Sequence, residues 1–195
     1  MLIKICGITN VEDGIYSYES GSDLIGVILS NLSPRRGTVD LVNKLAGMDI
    51  PVVSVYTSMK DALINSGEEK YAQLHFRADL DGMEKIRESG RKIISVVNLD
   101  DPDYIKYLET VRGGSDLILL EKKSGIMDII DRVSPFIHKN VGIAGKIGPG
   151  NIDHIMKFHP EFVDLSSSLE RYPGKKDQNL VDTFFKRLKY AELIN

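Results

Sequence analysis

The sequence predicts an α/β fold, a small single-domain (β/α)8 TIM barrel spanning residues 1–195. Three observations predict it. Short apolar runs rich in β-branched residues alternate eight times with segments of helical spacing, the pattern of parallel strands joined by right-handed crossovers. No composition break or long linker divides the chain, so the units belong to one body. With 42% hydrophobic and 27% charged residues, a chain of this length can bury one sizeable core. A doubly wound open sheet is the alternative topology. It favours a glycine-rich dinucleotide fingerprint after the first strand, and none is present.

The first strand is Leu2–Cys6, short and β-branched, and Gly7 stops it. Side chains alternate along a strand, so Leu2, Lys4 and Cys6 share one face, with the thiol at the C-terminal end. Asn10 suits the N-cap of the first helix, Glu12 and Asp13 suit its positive end, and Gly21 follows its stop. Residues 22–29 form the second strand, 31–37 its polar loop and 39–46 its helix. The third unit pairs 51–56 with 58–65, and the fourth pairs 71–75 with a helix near 81–88. Residues 91–97 with 102–111, 116–121 with a helix over 125–137, and 140–144 with 149–158 continue the pattern. The eighth strand covers 161–165 and the eighth helix 178–190, with Asp177 before it as N-cap. Closure places the eighth strand beside the first. Phe162, Asp164 and Ser166 share a face, so Asp164 is expected to meet Lys4 inside the barrel as a buried pair.

Composition excludes several functions. The net charge of -3 and pI of about 5.8 speak against a nucleic-acid or anionic-membrane surface. No apolar run reaches the roughly 18 residues of a membrane span, and no basic region with a hydrophobic core opens the chain. A cytoplasmic protein is expected. One cysteine forms no internal disulfide and points to no zinc site, so no metal is expected. Cys6 is either a small core residue or a reactive thiol.

In such barrels the reactive groups gather at the C-terminal ends of the strands. Cys6, Arg35, His75, Glu121, Gly145 with Lys146, and the serines Ser166, Ser167 and Ser168 stand there. The small-residue turns after strands seven and eight aim backbone N–H groups at a phosphate. A phosphorylated small molecule is the expected ligand.

Lys-Ile-Cys-Gly-Ile-Thr at 4 to 9, Gly-Ser-Asp-Leu-Ile-Gly at 21 to 26, Ser-Pro-Arg at 33 to 35, Gln-Leu-His at 73 to 75 and the run from Val163 to Asp177 resemble the phosphoribosylanthranilate isomerases of tryptophan biosynthesis. The resemblance implies a cofactor-free Amadori rearrangement of N-(5-phosphoribosyl)anthranilate to 1-(o-carboxyphenylamino)-1-deoxyribulose 5-phosphate. It makes Cys6 the general base and places Glu121 where the family has an aspartate as general acid. Arg35 is then expected to hold the anthranilate carboxylate, and Gly145, Ser167 and Ser168 the phosphate. His75 is a substrate-facing or supporting group, and Lys146 either obstructs the phosphate turn or adds a charge to it. The chain departs from the family pattern in having no tryptophan, a short Lys122-Lys123-Ser124-Gly125 loop and Phe76 after Gln-Leu-His.

Two other readings stay open at this stage. One is a degenerate barrel that binds a phosphorylated metabolite without turnover. The other is an isomerase of a related phosphoribosyl substrate of histidine biosynthesis, usually served by paired aspartates rather than a cysteine. A monomer or a homodimer is expected.

Overall fold

In the computed structural model, which describes residues 1–194, eight parallel strands close into a barrel in the order of the chain. They are β1 Leu2–Cys6, β2 Leu24–Ile28, β3 Val52–Tyr56, β4 Tyr71–Leu74, β5 Lys92–Asn98, β6 Leu117–Glu121, β7 Val141–Ala144 and β8 Phe162–Leu165. The intervening helices are α1 Val11–Glu19, α2 Val39–Ala46, α3 Met59–Ile64, α4 Leu80–Arg87, α5 Tyr104–Val111, α6 Ile130–Val133, α7 Ile152–Met156 and α8 Gln178–Ile194. Seven of these eight are nine residues or fewer, which is how the barrel fits into so short a chain.

Sequence chemistry sets the helix starts. Asn10, Thr38, Ser58 and Asp79 each accept a hydrogen bond from the backbone N–H three residues on, a contact worth about 1 kcal/mol per cap. Asp177 accepts from the N–H groups of Asn179 and Leu180 at the start of α8.

Two apolar layers follow from strand alternation. Outward side chains such as Ile3, Ile5, Ile25 and Ile93 pack against the helices. Inward ones, among them Leu24, Val53, Ile94, Leu117, Leu119 and Phe162, fill the lower barrel. Closure pairs β1 with β8 in a register that sets Lys4 opposite Asp164. Their side chains meet at 2.8 Å with exposures of 0% and 9%, the expected buried pair.

Several boundaries differ from the sequence reading. The helix expected over 125–137 is broken into a 3-10 turn at Met127–Ile129, the single turn of α6, and another 3-10 turn at Ser134–Phe136. Ile129 leaves helical geometry (φ -133°) and Pro135 opens the last turn, so no continuous hydrogen-bond ladder forms. The second strand is shorter than 22–29, α7 is shorter than 149–158, and α8 runs past residue 190. A hairpin not foreseen in the sequence, β9 Glu170–Tyr172 with β10 Lys175–Lys176, follows a 3-10 turn at Ser167–Leu169.

Candidate active site

The upper barrel is polar where the lower one is apolar. Cys6, Gln73, His75, Glu121, Asp164 and Ser166 end or follow their strands facing inward, and with loop residues they line a cavity of about 300 Å³ at the C-terminal mouth. All eight sequence-predicted candidates stand around it: Cys6, Arg35, His75, Glu121, Gly145, Lys146, Ser167 and Ser168.

Cys6 is buried at 6% exposure. Gly26 on the neighbouring strand makes room for it, since a Cβ there would lie 2.8 Å from the thiol sulfur. Burial pushes the thiol above its ordinary pKa; Lys4 and Lys176 pull it down and Asp164 pushes it up, and the net is upward. Lys4 therefore tempers the thiol without making it acidic. The same cluster acts on Lys4, where burial is outweighed by Asp164 and Cys6 and the ammonium is held above its usual value. Burial dominates at Asp164 as well and raises its carboxyl against the pull of Lys4.

Glu121 closes β6 with its side chain 18% exposed, and His75 Nε2 lies 3.1 Å from Oε2. Oε2 is buried, and the His75 ring is its one close polar neighbour among the described residues. Burial works to raise this carboxyl, yet His75, Lys123 and Lys4 together hold it below the usual glutamate range. Asp128, the first carboxylate after Glu121 in the chain, sits in the 3-10 turn beyond the loop and does not line the cavity.

The side of the mouth formed by the turns after β7 and β8 is built from backbone. Gly145 has φ +130°, and a Cβ there would approach Lys122 O to 2.2 Å, so only glycine fits this turn. Lys146 follows at φ 51°, also left-handed, and is exposed at the rim. The N–H groups of Lys146, Ile147, Ser167 and Ser168 donate to no described group. The Ser168 hydroxyl, by contrast, is committed to the Ile147 carbonyl, so Ser168 offers its N–H rather than its side chain. Arg35, on the loop after β2, has its Nε and Nη2 engaged by Glu170.

A sequence profile of N-(5'phosphoribosyl)anthranilate (PRA) isomerase matches residues 3–187. The chain belongs to this family. The N-(5'-phosphoribosyl)anthranilate isomerase of Thermoplasma volcanium is 39% identical over 191 residues, covering 98% of this chain and 97% of its own. A monomeric form of the dimeric phosphoribosylanthranilate isomerase of Thermotoga maritima superimposes with a TM-score of 0.83 at 26% identity, covering 97% of this chain and 100% of that one. A phosphoribosylanthranilate isomerase in complex with reduced 1-(o-carboxyphenylamino)-1-deoxyribulose 5-phosphate does so with a TM-score of 0.80, at the same identity and coverage.

Against the isomerase pattern, the geometry adds residues to which the sequence reading gave no role. Gln73 is 2% exposed, lines the cavity, and its side-chain oxygen has no partner among the described residues. Lys123 lines the same wall as Glu121. The signal for Gln73 was in the sequence: it shares the face of β4 with His75.

Proposed function

We infer that the protein catalyses the Amadori rearrangement of N-(5-phosphoribosyl)anthranilate to 1-(o-carboxyphenylamino)-1-deoxyribulose 5-phosphate. The observation that carries this reading is the pairing, across one cavity, of the buried thiol of Cys6 with the Glu121 carboxyl. Proton-transfer chemistry needs an acid and a base in reach of one substrate. Cys6 and Glu121 supply them.

The phosphate sits against the N–H groups of Lys146, Ile147, Ser167 and Ser168, with the Lys146 ammonium beside it. Arg35 takes the anthranilate carboxylate, and Gln73 accepts from a sugar hydroxyl. Glu121, in its protonated form, gives its proton to the furanose ring oxygen, and the C1–O bond breaks to leave the Schiff base. Cys6, as thiolate, removes the C2 proton, and the resulting enolamine gains a proton at C1 while its C2 hydroxyl loses one to water, which leaves the ketone. His75 stays beside Glu121 and receives or returns protons between turnovers. No step calls for a cofactor. A barrel that only bound the metabolite would need the phosphate turns but no carboxyl placed beside the thiol. The histidine-pathway reading would call for an aspartate where Cys6 stands.

Among the described residues no helix is long and apolar enough to cross a membrane. A cytoplasmic monomer or homodimer fits a biosynthetic role of this kind.

Turnover in D2O tests the chemistry. The enolamine route predicts one deuterium at C1 of the product by NMR. Deuterium at C1 would exclude a direct hydride shift from C2, and no conversion at all would exclude the enolamine route.

A further inference from the structure

The hairpin β9–β10 has no assigned role, yet its buried side chains reach into the site from behind. Glu170, 3% exposed at its side chain, accepts from Arg35 Nε at 2.8 and 2.9 Å and from Arg35 Nη2 at 2.8 Å. Lys176, 1% exposed, donates to Glu170 Oε1 at 3.2 Å, to the Cys6 carbonyl at 2.7 Å and to the Ser166 carbonyl at 3.2 Å. Gly174 N–H reaches Glu170 Oε1 at 3.3 Å. The hairpin is itself tied down: Lys176 N–H and Lys175 Nζ meet Asp13 at 2.9 and 2.6 Å, and Thr9 Oγ1 donates to the Gly174 carbonyl at 2.5 Å.

A guanidinium has two edges that can each take a planar pair of oxygens. Glu170 occupies the Nε–Nη2 edge of Arg35. We propose that Glu170, braced by Lys176, is a positioning residue that fixes the Arg35 plane so that its other edge, Nη1 with the second Nη2 hydrogen, faces the cavity and selects a substrate carrying an aromatic carboxylate. This deepens the isomerase reading and rests on it. Charge supports the assignment. Arg35 and Lys176 carry two positive charges against the one negative of Glu170, so Arg35 can attract a second carboxylate while bound to the first. Burial opposes ionisation of Glu170, but Arg35 and Lys176 outweigh it and hold the carboxyl below its usual range. The fork is thus set before substrate arrives, and little side-chain freedom is left to lose on binding. Through Lys176 the same hairpin fixes the Cys6 carbonyl, so one support registers the carboxylate fork and the base.

Inhibition constants for two stable phosphorylated product analogues test this: reduced 1-(o-carboxyphenylamino)-1-deoxyribulose 5-phosphate and its counterpart lacking the carboxylate. They are measured on wild type, Glu170→Gln and Glu170→Asp, with kcat and KM for the substrate in parallel. The wild type is expected to favour the carboxylated analogue. Glu170→Gln is expected to reduce that preference about tenfold or more and to raise KM far more than it lowers kcat; Glu170→Asp should do the same to a smaller degree. A merely structural Glu170 would lower melting temperature or yield while leaving the ratio of inhibition constants at the wild-type value in whichever variant folds, and that overturns the proposal. A wild type that turns over substrate but shows no carboxylate preference also overturns it, with the isomerase reading intact. A wild type with no turnover sinks the isomerase reading instead.

Discussion

Glu69 is the acid of a buried cluster where the chain enters β4 and β5, and its removal gives a stability change that can be worked out from the contacts. Its Oε1 accepts from Tyr56 Oη at 2.7 Å and Arg91 Nη1 at 2.9 Å, and its Oε2 from Gly67 N–H at 2.7 Å. The Glu69 and Arg91 side chains are 0% and 7% exposed. The cluster joins the end of β3 to the segments that lead into β4 and β5. Burial and Glu69 both hold the Tyr56 phenol above its ordinary pKa, so it remains a donor. In Glu69→Ala, Arg91 keeps its buried charge without a counter-charge, and Tyr56 and Gly67 lose an acceptor. Removing one member of a buried pair costs about 3–5 kcal/mol. At roughly 2–4 °C per kcal/mol for a domain of this size, the variant should melt roughly 6–20 °C below wild type by circular dichroism. The pair as a whole stabilises little relative to apolar residues of similar volume, so Glu69→Leu with Arg91→Met should recover more than half of that loss. A Glu69→Ala protein melting within about 2 °C of wild type would show that the buried pair does not hold these segments together.

Two further outcomes follow from the site. Asp164→Asn leaves the fully buried Lys4 ammonium without its counter-charge and is expected to cost about 3–5 kcal/mol and most of the turnover; unchanged melting and activity would contradict the pair's role. The pH profile follows from the two opposed shifts. Cys6 is pushed up and Glu121 down, so as pH rises through neutrality the thiolate fraction grows tenfold per unit while the protonated carboxyl shrinks by the same factor. The log of kcat/KM should therefore be flat between about pH 6 and 8, and a slope near one across that range would show that the acid's protonation does not limit the rate.

Much of this was legible in the sequence because strand alternation is a strict rule. Placing Leu2–Cys6 in a barrel is enough to put Lys4 and Cys6 inside, and closure then brings Asp164 to Lys4. The site candidates were legible for the same reason, since each ends or follows a strand. What escaped was set by tertiary contacts. The β9–β10 strands are only three and two residues long, too short for a periodic signal, and Pro173-Gly174 was the only local mark of their turn. Nothing in the sequence marked Glu170 and Lys176 as buried; the fold packs them against Arg35 and the Cys6 carbonyl. The stretch 125–137 has helical spacing, and its apolar side chains do face the core, but Pro135 and the backbone at Ile129 divide it.

The central claim is that Cys6 and Glu121 act together as base and acid on phosphoribosylanthranilate. Its most direct measurement is turnover of freshly generated substrate, followed by loss of anthranilate-type fluorescence, for wild type, Cys6→Ser and Glu121→Gln side by side. The wild type is expected to be active and each variant to lose about a hundredfold or more in kcat, with binding of the reduced product analogue retained. Wild-type turnover that survives either substitution within a factor of a few would contradict it.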